Sequence, residues 1–329
     1  MPFSGIAGHR PVIDLLKRGV ARQTLPPSLI FAGPDGVGKR LAAVALAQAL
    51  NCDGRDAGGD ACGTCASCAR IARSVHADVL IMEPGDSGTI KVDQVRDAID
   101  RSAYRPFEGK RRVVIVEQAD ALVPEAQNAL LKTLEEPPSA SVFVLITARP
   151  DVLLVTVRSR CQRLRFGPLS AAEVAGILMR DHGFAETDAR AAAAAADGSV
   201  GRALEEGAEE AIEAREAAAR LLQTAASSTD VRRRLDAAKA LAGGAADRDD
   251  LSRRLLAMSS LLRDLGLLGA QGGAHALANA DLEAQLQALL RHYDPPRTLD
   301  AFAVVDRALE ALDRNASPKI VADWLALHL

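Results

Sequence analysis

Short apolar runs alternate with amphipathic stretches through the first half of the chain. Four runs are too short for core helices and three are rich in β-branched residues, which predicts buried strands at 28–33, 79–82, 113–116 and 142–147. Between them, apolar residues recur at helical spacing in 39–50, 92–103 and 124–136. Strands that alternate with helices predict an α/β domain whose mostly parallel sheet is covered on both faces.

The strand signal ends after Phe166, and the rest of the chain has a helical pattern. Ser170 and Glu173 predict a capping box at the start of one helix, and Asp197-Gly198 predicts the end of the next. We therefore expect three domains: an α/β domain over 1–166, a small helical domain over 167–207 and a larger helical domain over 208–329.

Composition and charge restrict the classes of function. Forty basic and 43 acidic side chains give 329 residues a net charge of −3, which excludes a uniformly basic nucleic-acid coat. Aromatic residues are only 3%, so a stacking platform for single strands is not expected. The longest strongly apolar run, 41–50, is about half of a bilayer span, and the first thirty residues contain no apolar signal core. We expect a cytoplasmic protein without a membrane partner.

A glycine-rich turn between the first predicted strand and the next predicted helix has the pattern of a phosphate-binding loop. The segment Gly33-Pro-Asp-Gly36-Val-Gly38-Lys39 lets backbone N–H groups turn toward a phosphate, and the lysine reaches its terminal oxygens. The alternative is a strand-to-helix turn that binds no ligand. The strand and helix around the motif favour the nucleotide site.

This nucleotide site is degenerate at its metal and water positions. Arg40 stands where a hydrolase needs Ser or Thr to ligate Mg²⁺. The third strand leads into Glu117 and Gln118, where a hydrolase usually has Asp for the metal and Glu for the attacking water. Glu117 could hold Mg²⁺ through water, but Gln118 cannot act as a base. We expect a phosphate cradle without hydrolytic machinery.

Four cysteines lie in a loop-rich insertion over about 51–70, with the spacing C-x₉-C-x₂-C-x₂-C: Cys52, Cys62, Cys65 and Cys68. Their density suits tetrahedral Zn²⁺, and four thiolate ligands leave no open position for catalysis. An iron–sulfur cluster is the main alternative and free thiols are another; the ferredoxin-like continuation is missing, because Ala69 and Arg70 follow the last cysteine. The sequence favours a structural zinc site.

The order of motifs resembles a known family. The phosphate loop, the four-cysteine insertion and the degenerate acidic strand end are followed by the segment 128–138 and by Ser159-Arg160-Cys161. This order resembles the bacterial clamp-loader subunits of the AAA+ family over roughly residues 1–205, and more weakly beyond. The resemblance implies an AAA+ P-loop module with a zinc insertion, a helical lid and an all-α collar for hetero-oligomerisation. It also implies motor subunits and the delta subunit of the DNA polymerase III clamp loader as partners, with the sliding clamp and primer–template DNA reached through the complex.

In that family the arginine of Ser-Arg-Cys reaches the nucleotide of the neighbouring subunit, so the resemblance assigns Arg160 as an arginine finger acting in trans. A guanidinium stabilises charge on a transferring phosphoryl group. The alternative is an ion pair within the domain. Cys161 is expected to be a packed residue, because no catalytic histidine accompanies it in the sequence pattern.

Two further positions bear on the same resemblance. Motor subunits carry an arginine in a Gly-Ser-x-Arg pattern, but here Gly201 occupies that place and Arg202 comes one residue late. Thr147 stands near the family's sensor position, and an ordinary strand residue is the alternative. The departures at Arg40, Gln118 and Gly201 predict a non-hydrolysing subunit that keeps the residue a neighbour needs, and they leave binding of ATP or ADP open. An active motor subunit and a stand-alone nucleotide-binding switch are the alternatives.

The densest basic stretch follows the predicted helix 92–103 and is a candidate for DNA contact. Phosphate contacts from such a face would give salt-dependent affinity, and a solvated loop edge is the alternative. The candidate residues are Arg101, Arg105, Lys110, Arg111 and Arg112.

Overall fold

The structure is a computed structural model that describes residues 1–85, 87–205, 208–228, 230–242, 247–270, 277, 279 and 282–329. The chain forms two compact units, Met1–Pro168 and Leu169–Leu329. The first unit contains the five strands and the second is helical.

The first unit is built on a five-stranded parallel sheet, which confirms the predicted α/β class. Its spatial order is β2-β3-β4-β1-β5, and every neighbouring pair is parallel. Because parallel strands end at the same edge, the segments after β1, β3 and β4 lie side by side and can form one site. The strands are β1 (Ser28–Ala32), β2 (Val79–Met82), β3 (Arg112–Val116), β4 (Ser141–Thr147) and β5 (Gln162–Arg165).

Both faces of the sheet are covered by apolar layers. Consecutive residues of β1, such as Leu29 and Ile30, belong to two different hydrophobic clusters, one on each face of the sheet. This arrangement explains the continuous apolar runs, since β1, β3 and β4 are buried along their whole length. The helices of this unit are α1 (Arg10–Arg22), α2 (Lys39–Asn51), α3 (Ala66–Ala72), α4 (Val92–Ala103), α5 (Pro124–Glu135) and α6 (Val155–Arg158).

The structure contains a fifth strand that the hydrophobic pattern did not predict. In β5 only Leu164 is buried, while Gln162, Arg163 and Arg165 are exposed. The strand pairs with β1 on one side and forms the end of the sheet order, where polar side chains are tolerated. An edge strand with a single buried residue gives almost no apolar signal.

Among its described residues, the second unit has two apolar clusters. One involves residues between Leu169 and Ala203, and the other lies between Ala214 and Leu329. Ser170 and Glu173 form the predicted capping box. The helices are α7 (Ala171–His182), α8 (Glu186–Ala195), α9 (Val200–Glu205), α10 (Ala208–Ser227), α11 (Val231–Ala242), α12 (Arg248–Gly269), α13 (Glu283–Leu289), α14 (Pro295–Asp313) and α15 (Pro318–His328).

The predicted three-domain division stays a proposal. The boundary between the two compact units falls after Pro168, two residues beyond the expected end of the α/β domain. The expected boundary at residue 207 lies outside the described residues.

Candidate functional site

The phosphate loop connects β1 to α2 at the edge of the sheet where the parallel strands end. Gly36 and Gly38 have φ values of 71° and 102°, which L-residues with a Cβ rarely adopt. A Cβ on Gly33 would collide with the backbone oxygen of Phe166. The three glycines are therefore required by the backbone path of the loop.

Lys39, the first residue of α2, is folded into this loop. Its Nζ donates to the backbone oxygens of Gly33 at 2.5 Å and Pro34 at 2.6 Å, and lies 3.2 Å from Asp35 Oδ1. The side chain is only 4% exposed. Burial lowers the pKa of Lys39, although Asp35 opposes that shift. The ammonium group is thus held by oxygens of the loop that the sequence pattern predicts to bind phosphate.

Arg40 pairs with the carboxylate expected to serve a metal. Its Nε donates to Glu117 Oε1 at 2.5 Å, and its Nη2 lies 3.4 Å from Glu83 Oε1. Glu83 follows β2 and Glu117 follows β3, so the guanidinium bridges the ends of two neighbouring strands. Burial raises the pKa of Glu117, and Arg40 acts against that rise. The positive charge that Mg²⁺ would supply at Glu117 is supplied by the chain's own arginine.

Gln118, Asp120 and Thr147 lie at or just after the ends of β3 and β4. Gln118 is exposed and has a positive φ of 48°. Thr147 ends β4, where its hydroxyl donates to Asp120 Oδ1 at 2.8 Å and accepts from the Arg149 backbone N–H at 3.0 Å. Asp120, whose charge opposes the lowered pKa of Lys39, is a site residue that the sequence analysis missed. Its position three residues after Glu117 was the available signal.

Gly201, which the sequence analysis compared with an arginine of motor subunits, lies in the second unit. Gly201 and Arg202 are in α9, and the backbone N–H of Arg202 donates to Ser199 Oγ at 3.1 Å.

The four cysteines of the insertion come together. The sulfur atoms of Cys52, Cys62, Cys65 and Cys68 all lie within 4.8 Å of one another. The Sγ atoms of Cys52 and Cys65 are 4.0 Å apart, near the roughly 3.8 Å separation expected between two thiolates on tetrahedral zinc with Zn–S bonds of about 2.3 Å. The residues therefore fit a four-thiolate metal site.

Backbone N–H groups point at these sulfurs, as thiolate ligands require. The N–H of Cys62 donates to Cys52 Sγ at 3.2 Å, and that of Cys65 to Cys62 Sγ at 3.3 Å. Hydrogen bonds from the Thr64 and Cys65 backbones lower the pKa of Cys62 to about 6. Burial instead raises the pKa values of Cys52 and Cys68 in the absence of a metal. A cation at the centre would stabilise all four thiolates.

Hydrogen bonds connect the cysteine insertion to the rest of the first unit. Asp60, only 4% exposed, accepts from the backbone N–H groups of Phe3 at 2.8 Å and Ser4 at 2.9 Å. Lys110 Nζ donates to the Cys52 backbone oxygen at 2.6 Å. The cysteine site therefore connects the chain start to the loop that precedes β3.

Arg160 lies just after α6 and is paired within its own unit. Its Nε and Nη2 donate to Glu135 Oε2 at 3.3 Å and 3.1 Å. Its Nη1 donates to the Thr156 backbone oxygen at 3.0 Å. Cys161 beside it is buried, and burial raises the pKa of its thiol to about 12, which does not suit a nucleophile.

The basic stretch divides into a buried and an exposed part. Arg112 is buried, with its Nη2 2.7 Å from the carboxylate of Asp78, so it does not contribute to an exposed DNA-binding face. Arg101 and Arg105 are exposed. Arg111 Nη1 donates to the Ser139 backbone oxygen at 2.5 Å, and Lys110 is exposed although its ammonium contacts Cys52.

The parallel sheet and the glycine-rich phosphate loop at its carboxyl edge define a P-loop α/β protein, and its second unit is helical. A family model described as "DNA polymerase III, delta subunit" matches residues 8–170, just under half of the chain. Over these residues the chain is similar to the bacterial clamp-loader family.

Two types of clamp-loader subunit are among the curated relatives. The chain is 43% identical over 133 residues to "DNA polymerase III subunit delta'" of Pseudomonas aeruginosa, covering 40% of each chain. It is 35% identical over 158 residues to the Bacillus subtilis protein of the same name, covering 48% of this chain and 47% of that one. It is 32% identical over 174 residues to "DNA polymerase III subunit tau" of Bacillus subtilis, covering 53% and 30%. The matches thus span less than half the length of these relatives.

Within the described residues, no helix has the length and apolar character needed to cross a bilayer.

Proposed function

We propose that this protein is a delta-prime-type subunit of the DNA polymerase III clamp loader that does not itself hydrolyse ATP. The observation that carries the proposal is the Arg40–Glu117 pair, in which a guanidinium takes the carboxylate that a motor subunit needs for Mg²⁺. Gln118 supplies no base beside it. Hydrolysis requires both functions, so we do not expect this subunit to hydrolyse ATP in its own loop.

Arg160 is the residue that acts on ATP bound by a neighbouring subunit. It is the arginine of the Ser-Arg-Cys motif, and its guanidinium is about one third exposed on the first unit. Presented to a neighbouring motor subunit, it would stabilise charge on the transferring phosphoryl group, an effect worth roughly 10³–10⁵ in rate in related hydrolases. The motor subunits would use that hydrolysis, together with the delta subunit, to load the sliding clamp on primed DNA.

The remaining parts have supporting roles in the cytoplasmic complex. The cysteine cluster holds one structural Zn²⁺, which fits its four thiols and leaves no open coordination position. The helices of 167–207 form the lid and those of 208–329 the collar that assembles with other subunits. Arg101, Arg105, Lys110 and Arg111 are the residues proposed to approach primer–template DNA.

An active gamma/tau-type motor is the second candidate. The similarity to tau and the intact loop geometry around Lys39 favour it. A stand-alone nucleotide-binding switch is the third, and co-purification with a clamp or a motor subunit distinguishes it from both clamp-loader roles.

ATP turnover by the purified full chain, with Mg²⁺ in excess, tests the proposal. The matched control is Lys39→Ala, which removes the phosphate-binding ammonium and reveals contaminating ATPases. Turnover no higher than that of the control supports the non-hydrolysing subunit. Robust turnover abolished by Lys39→Ala would establish the motor instead.

A further inference from the structure

The phosphoryl-binding edge of Arg160 is occupied by a carboxylate of the same chain. Nε and Nη2 form the side of a guanidinium that binds carboxylates and phosphates in a two-pronged manner. In this structure both nitrogens donate to one oxygen of Glu135, at 3.3 Å and 3.1 Å. A phosphoryl group that used this edge would have to displace Glu135.

Two helices of the same unit hold the guanidinium of Arg160 in place. Glu135 is the last residue of α5, and Thr156, whose backbone oxygen accepts from Arg160 Nη1, belongs to α6. Three of the five guanidinium N–H donors are thus used inside the subunit. The nearby Arg158 has a separate partner, Asp151 Oδ1 at 2.9 Å, and does not compete for Glu135.

Exposure makes this pair easy to open. The Glu135 side chain is 60% exposed and that of Arg160 is 32% exposed. Ion pairs of this kind contribute little to stability, because water solvates both charges well. A triphosphate, which carries more charge and more acceptor oxygens than one carboxylate, can therefore take the arginine from Glu135.

We propose that Glu135 is a positioning residue that holds Arg160 against its own subunit until nucleotide in the neighbouring subunit displaces it. The inference rests on the proposed trans-acting role of Arg160 and adds its regulation. In the free subunit the guanidinium is prevented from binding other anions. In the complex, ATP has to compete with Glu135 for the arginine, so the pair raises the ATP concentration at which the finger engages.

The test is steady-state ATP hydrolysis by the reconstituted complex, with motor subunits and DNA held constant. Glu135→Gln keeps the size and the acceptor oxygen but removes the charge. We expect it to lower the KM for ATP roughly two- to fivefold, the range that exposed ion pairs reach, without lowering kcat. The control Glu125→Gln, at the exposed start of α5, should leave KM unchanged. In an Arg160→Ala background, Glu135→Gln should have no effect.

The outcomes separate this inference from the proposed function. If Arg160→Ala leaves the ATPase of the complex unchanged, the trans-acting role fails and the inference fails with it. If Arg160→Ala lowers kcat while Glu135→Gln behaves like Glu125→Gln, Arg160 acts in trans but Glu135 does not restrain it. A fall in kcat with Glu135→Gln, or an effect that persists in the Arg160→Ala background, would also overturn the inference.

Discussion

Arg40 Nε lies 2.5 Å from Glu117 Oε1, and this contact joins the start of α2 to the end of β3. In a P-loop hydrolase the same two positions meet through Mg²⁺. The guanidinium neutralises the carboxylate that would attract the metal, and Arg40 has no hydroxyl that could ligate it. This one pair explains why a complete phosphate loop need not be an ATPase.

Arg40→Ser should restore magnesium dependence to nucleotide binding. The hydroxyl supplies a metal ligand and frees Glu117, so ADP should bind the variant at least about tenfold more tightly with Mg²⁺ than without it. The wild-type chain should show no such gain. Calorimetric titration of both proteins with ADP, with Mg²⁺ or with a chelator, measures the difference. A magnesium-dependent gain of similar size in the wild type would contradict the assignment of Arg40.

Asp78→Asn should strongly destabilise the first unit. Asp78 is fully buried, pairs with Arg112 at 2.7 Å and accepts from the backbone N–H groups of Phe107, Glu108 and Gly109. Removing the charge leaves a buried guanidinium unpaired, which costs about 3–5 kcal/mol. Urea unfolding of the two proteins checks this value. The control Asp97→Asn removes an exposed partner of Arg101 and should change the free energy of unfolding by less than about 1 kcal/mol.

The same carboxylate should make stability depend on pH in acid. Burial would raise the pKa of Asp78, but the hydrogen bonds from Arg112 and the three N–H groups outweigh it and lower the pKa from 3.8 to about 2. A lowered folded pKa gives stabilisation that is complete above pH 4 and is lost as the pH falls toward 2. The loss is about 2 kcal/mol. The difference in the free energy of unfolding between the wild type and Asp78→Asn, measured from pH 5 to pH 2, isolates this loss. A difference that does not change with pH would refute the pKa assignment.

The cysteine cluster should contain one zinc per chain. Metal analysis of the purified protein should give about one equivalent of zinc and no iron, and the protein should show no visible absorption. Cys62→Ser should lose the metal and melt at a lower temperature. Cys161→Ser, which changes a cysteine outside the cluster, should retain it. Iron in stoichiometric amount would replace the zinc assignment with an iron–sulfur cluster.

The exposed part of the basic stretch should contribute to salt-dependent DNA binding by the assembled complex. Replacing Arg101 and Arg105 with Ala should reduce the slope of log K against log salt by about 0.9 for each phosphate of duplex DNA that these arginines neutralise. The control replaces Arg180 and Arg190 with Ala, two exposed arginines of the second unit. Equal slopes for the two double variants would exclude Arg101 and Arg105 from the DNA interface.

Local sequence patterns predicted much of the first unit because its strands are buried on both faces. The phosphate loop and the four cysteines were predicted for a similar reason, since each motif lies in one short segment. β5 was missed because an edge strand with one buried residue resembles a polar loop. Partners distant in sequence were also missed: Asp78 pairs with Arg112 and Glu135 with Arg160 only after folding brings separate segments of the chain together.

The most direct test of the account compares two variants of this chain in one reconstituted clamp loader. Lys39→Ala impairs the chain's own phosphate loop, and Arg160→Ala removes only what it offers to a neighbour. The measurement is ATP hydrolysis stimulated by clamp and primed DNA. The account predicts that Lys39→Ala leaves the rate unchanged. Arg160→Ala should lower ATP hydrolysis by the neighbouring motor subunit at least about tenfold. A loss with Lys39→Ala and none with Arg160→Ala would contradict it and identify the chain as a motor.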